Sequence, residues 1–230
     1  MNQTQQTHDL AKKNVGKAAA ALVQDGMLLG LGTGSTAKFF IESLIERCRN
    51  GLKVSAVATS ARSAKQAQDG GIPLIDMAHI TSLDMDVDGA DEVDTKKRMI
   101  KGGGGALLRE KIIASISREM IVIVDESKVV NQLGLFPLPI EIVPFAHHAT
   151  LRKVTSLGFN ASFRHSDNGN LYITDNGNYI IDIKYPNPCA NPEKDDLILK
   201  NIPGVVETGF FFNMAGRILI GRNDGTVETR

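Results

Sequence analysis

Residues 88–111 read DGADEVDTKKRMIKGGGGALLREK. Asp88 and Asp91 bracket Gly89-Ala90, Lys101 stands directly before Gly102-Gly103-Gly104-Gly105, and Glu110 follows on a helix-like segment. Two carboxylates around Gly-Ala do not build a core. Four consecutive glycines give up backbone entropy and bury no side chain. These residue types fit a place where backbone closely approaches a ligand and charged groups move protons. A carboxylate beside an anion site suits proton abstraction next to a carbonyl, because burial can bring a base's pKa near the working pH. A lysine or backbone N–H groups would stabilise the developing enediolate oxygen. Singly, each residue has a bland alternative: Asp88 and Asp91 as solvated turn formers, Lys101 as a surface lysine, Glu110 as a solvated helix carboxylate between Arg109 and Lys111. The glycine run favours the functional reading of the set.

A second group lies upstream, in Gly30-Leu31-Gly32-Thr33-Gly34-Ser35-Thr36. It is not a dinucleotide fingerprint, since Ser35 occupies the sixth position and no acidic residue ends the next predicted strand. It lacks the Gly-Lys-Ser/Thr of a P-loop. What remains is a turn of small residues opening a helix, whose free N–H groups and dipole favour an anion such as a phosphate monoester. A plain N-cap needs one hydroxyl, and this turn has three, on Thr33, Ser35 and Thr36. Lys128, in Asp125-Glu126-Ser127-Lys128 after the apolar run MIVIV, is placed at another strand end; an exposed loop lysine is its alternative.

These groups need elements to hold them. Residues 9–25 read as an amphipathic helix with Leu10, Val15, Ala18, Ala19, Leu22 and Val23 on one face. Strands are expected at 27–31, 54–58, 72–75, 83–87 and 120–124, with helices from Ala37, over 61–69 capped by Ser60, and over 105–119. Alternating strands and helices predict an α/β fold, a mostly parallel sheet covered on both faces. The texture changes near residue 131. Pro137, Pro139 and Pro144 mark a strand-like connection, 150–157 reads as a helix, and strands at 170–174 and 179–183 flank the hairpin signal Asp175-Asn176-Gly177-Asn178. A helix at 193–201 and a strand at 204–207 complete a smaller α+β module. The expected division is therefore 1–131 plus 207–230 for a Rossmann-like catalytic domain and 132–206 for an α+β lid or oligomerisation domain. Two apolar runs in the tail, GFFFN and RILIG, are expected to rejoin the first sheet.

Composition narrows the partners. The 230 residues carry 26 Lys+Arg and 26 Asp+Glu, so no global field points to nucleic acid or an anionic membrane. No apolar stretch is long enough to span a membrane, and the polar MNQTQQTHDLAKK is not expected to be a signal peptide. Cys48 and Cys189 have neither disulfide-framework nor zinc-site spacing and are expected to be reduced thiols of a cytoplasmic protein. His147-His148 cannot easily face one ion from an extended segment, so surface or interface roles are expected. No metal or cofactor is expected.

Taken in order, GTGSTA at 32–37, DGADE at 88–92, KGGGGALLREKI at 101–112, SK at 127–128, FPLP at 136–139, TDNGN at 174–178 and IPGVV at 202–206 resemble ribose-5-phosphate isomerase, type A, over nearly the whole chain. The resemblance implies interconversion of D-ribose 5-phosphate and D-ribulose 5-phosphate in the pentose phosphate pathway, without metal or cofactor, by a homodimer or homotetramer. It implies that Thr33, Gly34, Ser35 and Thr36 bind the phosphate, and that Asp88, Gly89, Ala90 and Asp91 line the sugar site. Lys101, Gly102, Gly103 and Gly104 would contact the sugar, with Asp88 and Lys101 helping to open the furanose ring. Glu110 would move the proton between C2 and C1 through a cis-enediol, and Lys128 would contact the substrate. Leu108, Gly105, Met214 and His147-His148 depart from the family pattern; none removes a proposed catalytic group. A sugar-phosphate-sensing regulator is the contrasting class, but about 26 residues before the first predicted strand are too few for an added DNA-binding motif.

Overall fold

A computed structural model describes residues 3–230; Met1 and Asn2 of the polar N-terminal stretch lie outside the described residues. In chain order the elements are α1 (Gln3–Ala21), β1 (Leu28–Leu31), α2 (Ser35–Arg49), β2 (Ser55–Ala58), α3 (Ala61–Asp69), β3 (Met85–Asp88), β4 (Glu92–Val93) and β5 (Met99–Ile100). Then follow α4 (Leu107–Ser115), β6 (Met120–Asp125), β7 (Leu138–Ile142), α5 (His147–Ser156), β8 (Ala161–Phe163), β9 (Tyr179–Ile183), α6 (Pro192–Lys200), β10 (Val205–Thr208), β11 (Phe210–Phe211), β12 (Ala215–Gly221) and β13 (Val227–Thr229). No described helix is long and apolar enough to cross a membrane.

The chain divides into two compact units. The first comprises Met1–Ala90, Arg109–Val129 and Asn213–Arg230. Its six-stranded sheet has the order β13-β12-β6-β3-β1-β2, parallel except for the edge strand β13. The central strands read as apolar runs because both faces are covered; all six residues of β6 are buried. Val15, Ala19, Phe40, Ile41, Leu44, Leu29, Leu31, Val87, Ile121 and Ile123 share one core.

The second unit comprises Asp91–Leu108 and Val130–Phe212. It holds an antiparallel sheet of order β10-β7-β9-β8 and a three-stranded sheet of order β11-β5-β4. Its core gathers Ile100, Leu133, Leu138, Ile140, Ile142, Val154, Ile181, Ile183 and Phe210. The expected α/β fold with a smaller α+β part is observed. Relative to the expected division, residues 91–108, 130–131 and 207–212 group with the second unit. A long-range hydrogen-bond network explains part of this: the buried Glu92 carboxylate accepts from the Gly134 N–H at 2.7 Å and the Phe136 N–H at 2.5 Å. Burial pushes the Glu92 carboxyl upward against the opposing pull of those amides.

Several local expectations change. α1 ends at Ala21 rather than residue 25, and Leu10 is exposed while Ala11 is buried in its stead. Residues 72–75 form only a bridge between Leu74 and Ala56. The helix after the glycines covers Leu107–Ser115, shorter than 105–119; Gly105 adopts φ +81°, which keeps it out of the helix at the N-terminal end. Residues 170–174 make bridges rather than a strand; β8 is the partner of β9. Of the two tail runs, RILIG joins the first sheet as β12 beside β6, whereas GFFFN supplies β11, which pairs with β5. Ser60 caps α3 as expected, its Oγ accepting from the Ser63 N–H at 3.2 Å.

Candidate active site

In the first sheet, β1 is paired with β2 on one side and β3 on the other. The chain leaves β1 for β2 and then crosses back to β3. This is a topological switch point, where the carboxyl ends of parallel strands open a crevice for ligands. Gly32 follows β1 there, and Asp88 ends β3.

Asp88 joins the two motifs physically. It is fully buried, and its Oδ1 accepts from the Thr33 N–H at 2.9 Å and the Gly89 N–H at 2.7 Å. The approach requires Gly32, because a Cβ there would lie 2.1 Å from Asp88 Oδ1. Thr33 Oγ1 lies 2.6 Å from Thr59 Oγ1 and donates to Ser60 Oγ at 2.8 Å. Ser63 Oγ donates to the Gly32 carbonyl at 2.7 Å. Thr33 is thus committed to a buried hydroxyl cluster that shapes the turn. α2 begins after Gly34, at φ 117°, without a side-chain cap, contrary to the plain-cap alternative. Its opening N–H groups, with exposed Ser35 and buried Thr36, can receive an anion.

Glu110 is 3% exposed and lies in the first turn of α4. Ile113, on the same helix, packs beside Gly30, where a Cβ would meet its Cγ2 at 2.6 Å. Three residues along a helix is one face and about 4.5 Å of rise. Glu110 therefore shares the face of α4 that carries Ile113. Lys128 is half-buried and closes the 3-10 turn Glu126–Lys128 after β6; Asp125 caps that turn by accepting from the Ser127 N–H at 3.0 Å.

The second unit holds the remaining candidates. Asp91 Oδ2 accepts from the Gly103 N–H at 2.7 Å, so the acidic turn and the glycine run meet. Lys101 is 2% exposed, with Nζ 5.5 Å from the Phe211 ring centroid. Its N–H donates to the Gly209 carbonyl at 2.9 Å. Gly102, at φ +102°, packs against Leu107. Thus Thr33, Gly34, Ser35, Thr36, Asp88, Gly89, Ala90, Glu110 and Lys128 belong to the first unit, and Asp91, Lys101, Gly102, Gly103 and Gly104 to the second. Sequence reasoning did not single out Arg164, whose guanidinium hydrogen-bonds the Gly102 and Gly103 carbonyls. No motif surrounds it.

Among the described residues, no three His, Cys, Asp or Glu side chains gather as a metal site. His147 and His148 open α5, with ring centroids 4.4 Å apart, and both contact the Phe163 ring. Cys48 and Cys189 are free thiols.

A switch point in a doubly wound sheet, with the uncapped start of α2 and the buried Asp88 at its strand ends, places the chain in the α/β class whose ligands bind at the carboxyl ends of the strands. Residues 55–225 match the family model of ribose 5-phosphate isomerase A (phosphoriboisomerase A). Ribose-5-phosphate isomerase A of Protochlamydia amoebophila is 51% identical over 229 residues, covering 99% of each chain. The solved ribose 5-phosphate isomerase of Plasmodium falciparum superposes with a TM-score of 0.93 at 38% identity, covering 96% of this chain and 98% of that one. A D-ribose-5-phosphate isomerase in complex with phospho-erythronic acid gives a TM-score of 0.91 at 37% identity, covering 100% and 99%. The chain belongs to the ribose 5-phosphate isomerase A family and is an enzyme of the isomerase class.

Proposed function

We propose that the chain interconverts D-ribose 5-phosphate and D-ribulose 5-phosphate through a cis-enediol, with Glu110 as the base. The observation that carries this reading is the buried Glu110 in the first turn of α4, the helix whose Ile113 packs beside Gly30 of β1. A family relative solved with phospho-erythronic acid supports a phosphorylated sugar as the ligand class.

In this reading Gly34, Ser35 and Thr36 hold the phosphate through the start of α2, with Thr33 keeping the turn in shape. Asp88 and Lys101 assist opening of the furanose ring, and Gly89, Ala90 and Asp91 line the sugar. Gly102, Gly103 and Gly104 bring backbone close to the sugar oxygens, and Lys128 adds a cation. Glu110 removes the proton from C2 of the open-chain aldose and returns it to C1. The hydroxyl proton moves between the two oxygens, so nothing is gained or lost. No metal or cofactor takes part. The reaction serves the non-oxidative pentose phosphate pathway in the cytoplasm, and the active form is a homodimer or homotetramer.

The test is incubation with ribose 5-phosphate in deuterated water plus a chelator. Ketose carrying deuterium at C1 is expected; no ketose would overturn the activity, and dependence on added metal would overturn metal independence. Glu110→Gln should lower turnover by roughly 10²- to 10⁴-fold while substrate still binds. Parental turnover in that variant would remove Glu110 as the base.

A further inference from the structure

Arg164 lies in the second unit, just after β8, with its side chain 14% exposed. Its Nε donates to Asp182 Oδ2 at 2.8 Å, and its Nη2 pairs with Asp182 Oδ1. This bidentate pairing fixes the guanidinium plane. The remaining arm, Nη1, donates to the Gly102 carbonyl at 2.9 Å and the Gly103 carbonyl at 3.1 Å. Tyr172 lies alongside, its ring centroid 5.8 Å from the guanidinium carbon, and its hydroxyl donates to the Gly104 carbonyl at 3.1 Å. Three successive glycine carbonyls are therefore held by side chains from one part of the second unit.

A trans peptide is planar, so holding its carbonyl also aims its N–H the opposite way. No cis peptide occurs here. The Gly102–Gly103 peptide shows the consequence: its carbonyl faces Arg164, and its N–H faces Asp91 at 2.7 Å. The next peptide has the same arrangement at the carbonyl. Its N–H, on Gly104, points away from Arg164, is exposed, and meets no acceptor among the described residues. The Gly102 carbonyl also accepts from the Gly105 N–H at 2.9 Å, closing a four-residue turn whose central peptide, Gly103–Gly104, has its carbonyl held by Arg164.

We infer that Arg164 is a positioning residue that aims the Gly104 N–H at the substrate oxygen on which negative charge develops. This rests on the isomerase reading above. A donor aimed in advance at a developing oxyanion acts in the transition state more than in the ground state. Arginine suits the task and lysine does not, since a single ammonium cannot make two bonds to a carboxylate and two to carbonyls from one plane.

The test compares Arg164→Lys with the parent. Turnover of ribose 5-phosphate should fall roughly 30- to 100-fold, with KM changed less than about threefold. Calorimetric affinity for phospho-erythronic acid, whose carboxylate stands in for the enediolate, should fall about tenfold or more, while that for inorganic phosphate stays within about twofold. Parental turnover, or equal loss of both affinities, would overturn the inference; the latter is what general loosening produces. If Arg164→Lys does not fold, Asp182→Asn serves, because it leaves the arginine but removes its anchor. The same split between the two ligands is expected, and no split overturns the inference. An inactive parent protein would instead overturn the isomerase reading itself.

Discussion

A Cβ on Gly32 would lie 2.1 Å from Oδ1 and 2.3 Å from Cγ of Asp88, which cannot retreat without giving up the Thr33 and Gly89 amides. Gly32→Ala should therefore destabilise the protein by about 1–3 kcal/mol, read by urea unfolding. It should also weaken binding of inorganic phosphate, since the turn opening α2 is tied to Asp88. Unchanged stability and affinity would show that the contact is dispensable. At this scale the candidate carboxylates were legible because Asp88 and Glu110 lie in runs whose composition no core or turn explains. Thr33 was legible as a turn residue, but the partners of its hydroxyl were not, since Thr59 and Ser60 lie in the connection after β2 and Ser63 in α3. Arg164 was illegible, because its role consists of contacts to residues about sixty positions away.

Among the elements, the TDNGN turn shows how a motif can be structural. The fully buried Glu141 on β7 accepts at Oε1 from Thr174 Oγ1 at 3.0 Å and from the Asn176 and Asn178 amides at 2.9 Å each. Thr174 Oγ1 in turn accepts from the Asn176 and Asn178 N–H groups at 3.2 Å. Glu141→Ala removes the acceptor of three donors and should cost about 2–4 kcal/mol, measured by urea unfolding. A loss below about 0.5 kcal/mol would mean water replaces the carboxylate without penalty. Nearby, burial and Asp195 push the Cys189 thiol up to about 11, which keeps it neutral and poorly nucleophilic. Long apolar runs and capped helices were legible as elements. The two-residue strands β4, β5 and β11 were not, since a pair of residues carries no period and pairing depends on partners distant in the chain.

For the whole molecule, the most exposed large apolar side chains, Phe145, Leu135, Leu197 and Ile173, all belong to the second unit. Scattered exposure of this kind is common on monomers, but its concentration in one unit supports the proposed oligomerisation role. Sedimentation equilibrium is expected to give two or four times 24.8 kDa. A mass of one chain at micromolar concentration would refute it.

The α/β class was determined by sequence alone, and the candidate turn, carboxylates and lysines could be named from it, because each rests on local periodicity, turn chemistry or residue type within a short window. Only the tertiary structure decided that residues 91–108 group with the second unit, that Asp88 anchors the Gly32–Thr36 turn, and that Arg164 holds the glycine carbonyls. Those facts depend on hydrogen bonds and close approaches between residues far apart in the chain, and no local pattern specifies which distant donor will meet which acceptor.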